Sequence, residues 1–241
     1  MCRNARIPTR KSLEKYIGDL VHTIPEYQPC ENANSFDHPE IPIMREWGKV
    51  ELAIWGLVPE WVQPGDFDRA KAMMDATRNA KAETIFEKAS FAESIRQRRC
   101  LLFLEGFYEW QHMPKASGKG KETKRHYVSM KDGSIFACGG VWSEWRDERL
   151  GKTLVTCSMI TTAANPLMAE IHNSGERQPL ILPRTSWERW LQKDLVEREI
   201  QELMQVFPED GMQAVLSPDS TPPESPGGSS SGDEGGQGAL F

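Results

Sequence analysis

Residues 100–112 read CLLFLEGFYEWQH, a continuous apolar run that leads into a glycine followed by aromatic residues and an acid. The length and composition of this run predict a buried strand. Near its end, Glu109 lies between Tyr108 and Trp110. Such apolar surroundings disfavour the charged carboxylate, so they would raise the pKa of Glu109 into the range useful for proton transfer. Taken alone, the position also fits a strand carboxylate with a structural partner.

The segments on either side predict a domain of mixed secondary structure. The apolar and aromatic run at residues 50–62, which contains a Gly and a Pro, predicts a strand that leads into a turn. Similar composition predicts strands at residues 126–130, 134–142, 153–161 and 179–183. Helical spacing of apolar residues predicts helices at 10–22, 67–77, 87–98, 184–192 and 195–206, and a short one that ends near His172. Residues 23–48 predict loop with short strand pieces, and residues 113–125 predict a Gly/Lys-rich hairpin loop. We expect an α+β fold, with a curved, mainly antiparallel sheet or barrel-like core and peripheral helices.

Composition favours a globular protein that works in a reducing compartment. The chain has five cysteines in 241 residues and no CxxC pair, which indicates neither a disulfide framework nor a zinc site. It has no run of about 18 apolar residues and no signal-peptide core, so we expect a cytoplasmic protein without membrane contact. We also expect a monomer with no metal and no organic cofactor.

The charge of the chain is unevenly distributed. The net charge is −6, of which −4 falls in residues 217–241, and −2 therefore remains on residues 1–216. A local basic groove that binds nucleic acid is compatible with that balance.

The end of the chain differs in composition from the rest. From Ser217 onward Ser, Pro, Gly and acidic residues dominate, and such a segment buries too little apolar surface to offset its ordering entropy. We predict one domain over residues 1–216 and a disordered acidic tether over residues 217–236. Residues 237–241 resemble the Gln-x-x-Leu-Phe peptide that docks on bacterial sliding clamps, through Gln237, Leu240 and Phe241. A chance match of five residues is the alternative.

The chain starts with Met1-Cys2. Removal of Met1 would leave an α-amine and a thiol on one residue, with ordinary pKa values near about 8 and about 8.5. Such an aminothiol condenses with an aldehyde to a Schiff base and then closes a thiazolidine ring on the same carbon. The same two groups could instead attack an amide as an amino-terminal nucleophile, and the dipeptide alone does not separate the two reactions.

Other polar residues are candidates for a site. His172 precedes a polar loop that ends in Arg177, which brings a proton-transfer group and a phosphate-binding group near one another. Asn79 and Lys81 could donate hydrogen bonds to an oxygen-rich ligand, although an Asx turn also explains Asn79. The remaining histidines occur at helix ends, in loops or in the hairpin, and we interpret them as structural: His22, His38, His112 and His126.

The motifs of the chain, taken together, resemble the SOS-response-associated peptidase (SRAP) family, whose members shield abasic sites in single-stranded DNA. The blocks that carry the resemblance occur in the family's order: Met1-Cys2, WGLVPEW (55–61), NAKAET (79–84), RRCLLFLEGFYEW (98–110), TTAAN (161–165) and HNSGERQPLIL (172–182). The resemblance implies a crosslink that shields the lesion, self-removal of Met1 and weak AP-lyase activity.

The resemblance also implies roles for particular residues. It implies that mature Cys2 forms a thiazolidine with the aldehyde of a ring-opened abasic deoxyribose. Asn79 would orient Cys2 and the sugar, Glu109 would shuttle protons, and His172 would assist proton transfer and reversal. Arg177 would bind a phosphate.

Substrate binding requires basic and aromatic surface. Candidate DNA contacts are Arg3, Lys81, Arg177, Trp55 and Trp61, with Trp47 as a further aromatic candidate. The tryptophans fit a core role equally well. The chain departs from the family in its Arg3-Asn4-Ala5-Arg6 segment and in Lys81, which replaces an Arg and so loses the bidentate fork.

Two other functional classes compete with this interpretation. One is a cysteine peptidase or an amino-terminal-nucleophile amidohydrolase that uses Cys2, although the chain lacks the Arg-Gly and Asn-Gly segments that such amidohydrolases need. The other is a noncatalytic module that binds single-stranded DNA. A denaturation-resistant adduct with abasic DNA would exclude the second class.

Overall fold

The computed structural model describes residues 3–115 and 121–217. The predictions made for Met1, Cys2, the hairpin tip and the tail from residue 218, including Gln237, Leu240 and Phe241, lie outside the described residues. The strands are β1 Asn4–Ile7, β2 Cys30–Asn34, β3 Glu40–Glu46, β4 Lys49–Trp55, β5 Asn79–Lys81, β6 Arg99–Leu104, β7 Gly106–Pro114, β8 Lys121–Met130, β9 Phe136–Asp147, β10 Lys152–Ala163, β11 Arg177–Pro179, β12 Ile181–Leu182 and β13 Met212–Leu216.

Short helices surround these strands. The α-helices are α1 Arg10–Ile17, α2 Phe67–Ala76, α3 Ala92–Gln97, α4 Pro166–Ile171, α5 Trp187–Leu191 and α6 Glu197–Leu203. Short 3-10 helices occur at Gly18–Thr23, Ser35–Asp37, Ala82–Thr84, Arg184–Ser186 and Glu209–Gly211. Asn165 caps α4 by accepting a hydrogen bond from the backbone of Met168, and Pro166 occupies the first position of the helix. This cap fixes where α4 begins, and α4 leads directly to His172.

A closed five-stranded barrel forms the larger part of the fold. The strands are hydrogen-bonded in the order β10-β4-β3-β6-β9, and pairing of β9 with β10 closes the ring. The β4–β10 pair is parallel, and the other pairs in the ring are antiparallel. The short strands β5, β11 and β12 add to its margins. The predicted α+β fold with a mainly antiparallel, barrel-like core and peripheral helices is therefore confirmed.

A second sheet lies beside the barrel and contains the Glu109 strand. Its strands pair antiparallel in the order β13-β8-β7-β1-β2. The pairing of β1 with β7 places Asn4 opposite Tyr108. This register brings the start of the chain to the strand that carries Glu109.

The prediction of one strand over residues 100–112 was wrong. The segment forms β6 in the barrel and β7 in the second sheet, and the break lies at Glu105, whose backbone N–H donates to the carbonyl of Arg6 at 2.9 Å. Glycine is required at position 106, the start of β7, because a Cβ there would lie 2.4 Å from the ring of Tyr127 on β8. One apolar run therefore links both parts of the molecule.

Several predicted boundaries also differ from the structure. Within the predicted 10–22 helix, only Arg10–Ile17 is α-helical, and within 87–98 only Ala92–Gln97 is. The strand predicted at 179–183 is split into β11 and β12, and part of the predicted hairpin loop belongs to β7 and β8. The edge strand β13 had no prediction. The helix predicted at 67–77 is confirmed as α2.

The core contains most of the large apolar side chains. Cys100, Cys138 and Cys157 are buried in it, and these thiols are free, as is that of Cys30. Within residues 3–115 and 121–217 no helix is long and apolar enough to cross a membrane. No group of three or more His, Cys, Asp or Glu side chains in the described part of the chain is arranged to hold a metal ion.

Candidate functional site

Glu109 is a buried carboxyl in the middle of the second sheet. Its side chain lies on β7, directly across from His126 on β8, and only 4% of the residue is exposed. Burial raises its pKa from an ordinary 4.5 to about 7, against the opposing effect of nearby positive charge that includes Arg3. The predicted direction of this pKa shift is confirmed. The Oε1 atom accepts no hydrogen bond from the described residues.

The second titratable group of the site is His172, which follows α4. Its Nε2 atom lies 4.0 Å from Oε2 of Glu109. This is longer than a hydrogen bond, as is common for catalytic pairs without substrate. Burial lowers the pKa of His172 to about 4, so the imidazole is neutral near pH 7. The contact is therefore between a neutral imidazole and a partly protonated carboxyl, and it is not a fixed ion pair.

The far side of the His172 ring has a partner for either tautomer. Its Nδ1 atom lies 3.0 Å from the carbonyl oxygen of Arg177 and 3.2 Å from the backbone nitrogen of the same residue. Nδ1 can therefore donate to the first or accept from the second. In a neutral imidazole one ring nitrogen carries the proton and the other is an acceptor. Nε2 can therefore accept from or donate to Glu109 while Nδ1 keeps a hydrogen-bond partner. This arrangement suits a group that relays a proton.

Positive charge and an aromatic ring surround the start of β1. Two guanidinium groups lie over the ring of Phe36, with Arg78 3.9 Å and Arg3 5.4 Å from the ring centroid. Arg78 also forms an ion pair with Asp75 at 3.0 Å, and burial is the main cause of its lowered pKa. This cluster connects Arg3, whose positive charge opposes the rise in the pKa of Glu109, with Arg78, which directly precedes Asn79 in the chain.

Asn79 and Lys81 lie on β5, which runs parallel to β10. Asn79 is opposite Met159 and half-buried, and Lys81 is opposite Thr161 and exposed. The fold therefore places both on the barrel margin that also carries β11. Glu109 lies on β7 of the second sheet, so Asn79 and Lys81 lie in a different sheet from this carboxyl.

Arg177 does not present an open guanidinium. Its two terminal nitrogens lie 2.5 Å and 2.8 Å from the carboxylate oxygens of Glu83, and Nη2 also donates to the Thr161 carbonyl at 2.5 Å. Only 13% of the side chain is exposed. Arg177 lies beside His172, as its sequence position predicted. The contact with the imidazole is made by the backbone of Arg177 and not by its guanidinium group. Phosphate binding by this fork requires Glu83 to release it.

The predicted tryptophan contacts have different outcomes. Trp55 is 0% exposed and donates through Nε1 to the carbonyl of Arg78 at 2.8 Å, so direct contact with a DNA base was a wrong prediction and the core alternative holds. Trp61 is 43% exposed, and Arg69 lies 5.2 Å from its ring centroid. Trp47 is also exposed. Base contact by these two tryptophans stays a prediction.

Sequence reasoning missed a second buried polar group on the opposite face of β7. Arg125 lies 3.9 Å over the Tyr108 ring and 5.6 Å from that of Trp110. Its Nη2 donates to Asn32 at 2.8 Å, and Asn4 donates to the same oxygen at 3.0 Å. Alternation along β7 was the signal available, since Tyr108 and Trp110 point away from the face of Glu109. Phe36, Arg78 and Asn173 were also missed.

Comparison with known proteins identifies the family. A family model described as SOS response associated peptidase (SRAP) matches residues 1–217. The chain belongs to this family. Two relatives of this SRAP protein are named abasic site processing proteins in Bacillus subtilis (strain 168). YoqW is 33% identical over 177 residues, covering 70% of this chain and 72% of the relative, and YoaM is 33% identical over 192 residues, covering 78% of each.

A solved structure supports the same assignment. The crystal structure of a protein from Bacteroides thetaiotaomicron matches with a TM-score of 0.70 and 35% identity, over 77% of each chain. The resemblance inferred from the sequence motifs is confirmed at the level of the family and the fold.

Proposed function

We propose that this SRAP protein captures abasic sites in single-stranded DNA through a thiazolidine bond to mature Cys2 and thereby shields the lesion. The observation that carries the proposal is the buried Glu109 carboxyl, with a pKa of about 7, 4.0 Å from a neutral His172. Maintaining a carboxyl without full hydrogen-bond compensation costs stability, and such groups concentrate at functional sites. The names of the relatives supply the substrate class.

Chain geometry supports the involvement of Cys2. Asn4 is opposite Tyr108 in the β1–β7 pair. Consecutive Cα atoms are about 3.8 Å apart, so the Cα of Cys2 is within about 8 Å of that of Asn4 wherever the intervening residue turns. An approach of mature Cys2 to Glu109 is compatible with this covalent limit.

The proposed reaction has two bond-forming steps and releases one water. The α-amine of Cys2 adds to C1′ of the open-chain sugar aldehyde and forms a carbinolamine. Glu109, in its protonated form, donates the proton with which the hydroxyl leaves as water, and a protonated Schiff base results whose nitrogen keeps its own proton. The thiol sulfur then adds to the same carbon while the C=N electron pair moves to nitrogen, which gives the neutral ring. The thiol proton returns to the Glu109 carboxylate, directly or through the neutral imidazole of His172, so the carboxyl is restored for the reverse reaction.

Two side reactions belong to this proposal. The Schiff base acidifies the C2′ protons of the sugar, so weak strand cleavage by β-elimination accompanies slow thiol closure. Exposure of Cys2 requires hydrolysis of the Met1-Cys2 bond, which we assign to the chain itself. Mass analysis of a Glu109→Gln variant made without cellular aminopeptidase tests this second assignment, because retention of Met1 only in the variant supports it and loss of Met1 in both contradicts it.

Binding of the DNA strand is assigned to residues around this pair. Arg3 and Lys81 would contact phosphates, Arg177 would do so after release from Glu83, and Trp61 would stack on an unpaired base. Asn79 would orient the sugar beside Cys2. These assignments combine the family resemblance with the exposure of Lys81 and Trp61.

A denaturing gel tests the proposed reaction. Wild-type protein incubated with an abasic single-stranded oligonucleotide is expected to give an adduct that survives denaturation, while Cys2→Ala gives none and still binds the strand under native conditions. An oligonucleotide with an intact base is the matched control. A wild-type complex that dissociates on denaturation would exclude the covalent proposal and leave a noncatalytic DNA-binding module.

We further propose that residues 237–241 bind a bacterial sliding clamp. The support is the sequence Gln237-Gly238-Ala239-Leu240-Phe241 alone, in which two apolar residues end a polar, acidic stretch. Clamp affinity is expected to fall at least about tenfold when Leu240 and Phe241 are both changed to Ala, since such apolar anchors dominate small interfaces. An unchanged affinity would contradict it.

A further inference from the structure

Asn173 joins the loop of His172 to the strand of Glu109 through two hydrogen bonds. Its side-chain oxygen accepts from the backbone nitrogen of His112 at 3.0 Å, and its side-chain nitrogen donates to the carbonyl of the same residue at 2.9 Å. His112 lies on β7, three residues beyond Glu109. Although Asn173 is exposed, it uses both ends of its amide on one backbone residue.

The position of these bonds on the edge of β7 is informative. The partner strand β1 pairs with β7 from Gly106 to Tyr108. Further along the same strand, Asn173 satisfies the donor and the acceptor of His112, as the next strand of a sheet would do. Between these two attachments lie Glu109, Trp110 and Gln111. Asn173 thus fixes the far end of the edge segment that contains the catalytic carboxyl.

The loop that Asn173 anchors is tightly constrained around the imidazole. Glu176 adopts a positive φ of 47°, which is unfavourable for a residue with a side chain. A Cβ added at Gly175 would lie 3.2 Å from Cε1 and Nε2 of His172, so the loop backbone packs against the ring. Arg177 holds Nδ1 at one end of the loop. Such a strained loop keeps its shape only if both ends are fixed.

A weaker bridge runs beside the Asn173 bonds. Nε2 of Gln111 donates to the carbonyl of Glu170 at 3.4 Å, and its Oε1 lies 3.1 Å from Nε2 of His126. This contact ties α4 to β7 but does not reach the residues after His172. The Asn173 amide is therefore the side-chain link, among the described residues, between β7 and the loop that follows His172.

We propose that Asn173 is a positioning residue that sets the separation and orientation of His172 relative to Glu109. It touches neither substrate nor reacting atoms, and it acts through the loop backbone. The inference rests on the proposed function, because the pair it positions is the proposed proton relay. Misplacement of a reacting group by about 1 Å costs up to about 100-fold in rate.

The test compares Asn173→Ala with Ser174→Ala, an exposed neighbour for which no side-chain bond is formed in the described structure. Single-turnover adduct formation at saturating protein is expected to slow at least about tenfold in Asn173→Ala, with Kd for the abasic strand and Tm close to wild type. Ser174→Ala is expected to react at the wild-type rate. Asn173→Gln, which keeps both amide groups, is expected to recover part of the loss.

A second readout does not depend on DNA. The ring ¹⁵N and ¹H shifts of His172 in the DNA-free protein are expected to change in Asn173→Ala and to stay unchanged in Ser174→Ala. Unchanged shifts in Asn173→Ala, or a rate loss that merely follows weaker DNA binding or a lower Tm, would overturn the positioning role. A wild-type protein that forms no adduct overturns the proposed function instead and leaves the shift comparison valid.

Discussion

Glu109 in the second sheet and Asp147 at the β9–β10 turn are the buried carboxyls of the described chain, and their surroundings differ in kind. Burial tends to raise the pKa of Asp147, but the Arg149 side chain and the backbone N–H groups of Leu150 and Arg149 outweigh that effect and hold it below its ordinary value. Oε1 of Glu109 accepts no hydrogen bond from the described residues, and burial raises the pKa of this carboxyl to about 7. Two carboxyls with little exposed surface therefore differ, because Asp147 lies close to the molecular surface and is held as an anion by its hydrogen bonds, whereas Glu109 is deeply buried and has a pKa in the range for proton exchange.

The contrast shows what the protein maintains at the cost of stability. Asp147 accepts two backbone hydrogen bonds, at 2.9 Å from Arg149 and 3.1 Å from Leu150, and closes its turn. A carboxyl with satisfied hydrogen bonds contributes to folding, whereas one that is buried without them opposes it. Within the described residues Oε1 of Glu109 resembles the second class, and its neutral neighbour His172 does not compensate the charge of the carboxylate. The predictions below separate the two roles.

Replacement of Glu109 by Gln is expected to have the largest effect. The variant keeps the shape of the side chain and removes its exchangeable proton, so adduct formation should slow by about 100-fold or more. Folding should be unimpaired near pH 8, because a buried charge has been removed. Single-turnover kinetics on denaturing gels, with a thermal melt of the same sample, measure both quantities. A wild-type rate would place Glu109 with Asp147 among structural carboxyls.

The Glu109–His172 pair predicts opposite dependences of stability on pH. In a His172→Gln variant, the contribution of Glu109 to the free energy of unfolding is fully present below pH 4.5. It is lost as the pH rises toward 7, because the raised pKa favours the neutral carboxyl in the folded state. In a Glu109→Gln variant, the contribution of His172 to the free energy of unfolding is fully present above pH 6.5. It is lost as the pH falls toward 4, because the lowered pKa favours the neutral imidazole in the folded state. Each shift corresponds to about 3 kcal/mol.

Urea unfolding of the two variants across pH 4 to about 8 measures these slopes. The difference between the two variant curves is the informative quantity, because it cancels the contribution of the other titrating groups. Parallel curves would contradict the pKa shifts on which the proton relay depends.

Asp147→Asn is expected to give the reverse of Glu109→Gln. Loss of the charged acceptor for the Arg149 side chain, 3.1 Å away, should lower the free energy of unfolding by about 2 kcal/mol. The adduct rate per folded molecule should be unchanged. The low pKa of Asp147 predicts that its stabilisation is present above its ordinary value of 3.8 and is lost below it. Unfolding free energies at neutral and acid pH check both statements.

Glu83→Gln is expected to have the smallest effect. Removal of the carboxylate that occupies the Arg177 fork should tighten binding to abasic single-stranded DNA by about fivefold, or about 1 kcal/mol. Glu87→Gln removes the same charge from the same groove, which Glu83 and Glu87 both line, and serves as the control. Titration by fluorescence anisotropy distinguishes them. Equal affinities for the two variants would mean that Glu83 acts only through net charge.

The type of a secondary-structure element was predictable where one sequence pattern extended over the whole element. The apolar spacing of α2 and the β-branched runs of β9 and β10 gave the correct element types. The run at 100–112 misled, because an apolar sequence does not tell which sheet a strand joins. The break at Glu105 follows from pairing with distant segments, as in the hydrogen bond from the Glu105 backbone to the carbonyl of Arg6. The edge strand β13 pairs only with β8 in the described sheet and carries too short a pattern to be seen.

The site was predictable in its residues and less so in its contacts. The apolar neighbours of Glu109 indicated a raised pKa, and the sequence proximity of His172 and Arg177 indicated a contact between them. The ion pair of Arg177 with Glu83 and the attachment of Asn173 to His112 join residues that are far apart in the chain. Such partners follow from strand pairing, which local sequence does not specify.

Intact-mass analysis of the wild-type protein after incubation with an abasic single-stranded oligonucleotide tests the central claim most directly. The account predicts a species with the mass of the chain without Met1 plus the oligonucleotide minus one water, with the modification on Cys2 after digestion. Protein that retains Met1 while it forms the adduct, or a lesion-bearing strand that stays unmodified, would contradict it.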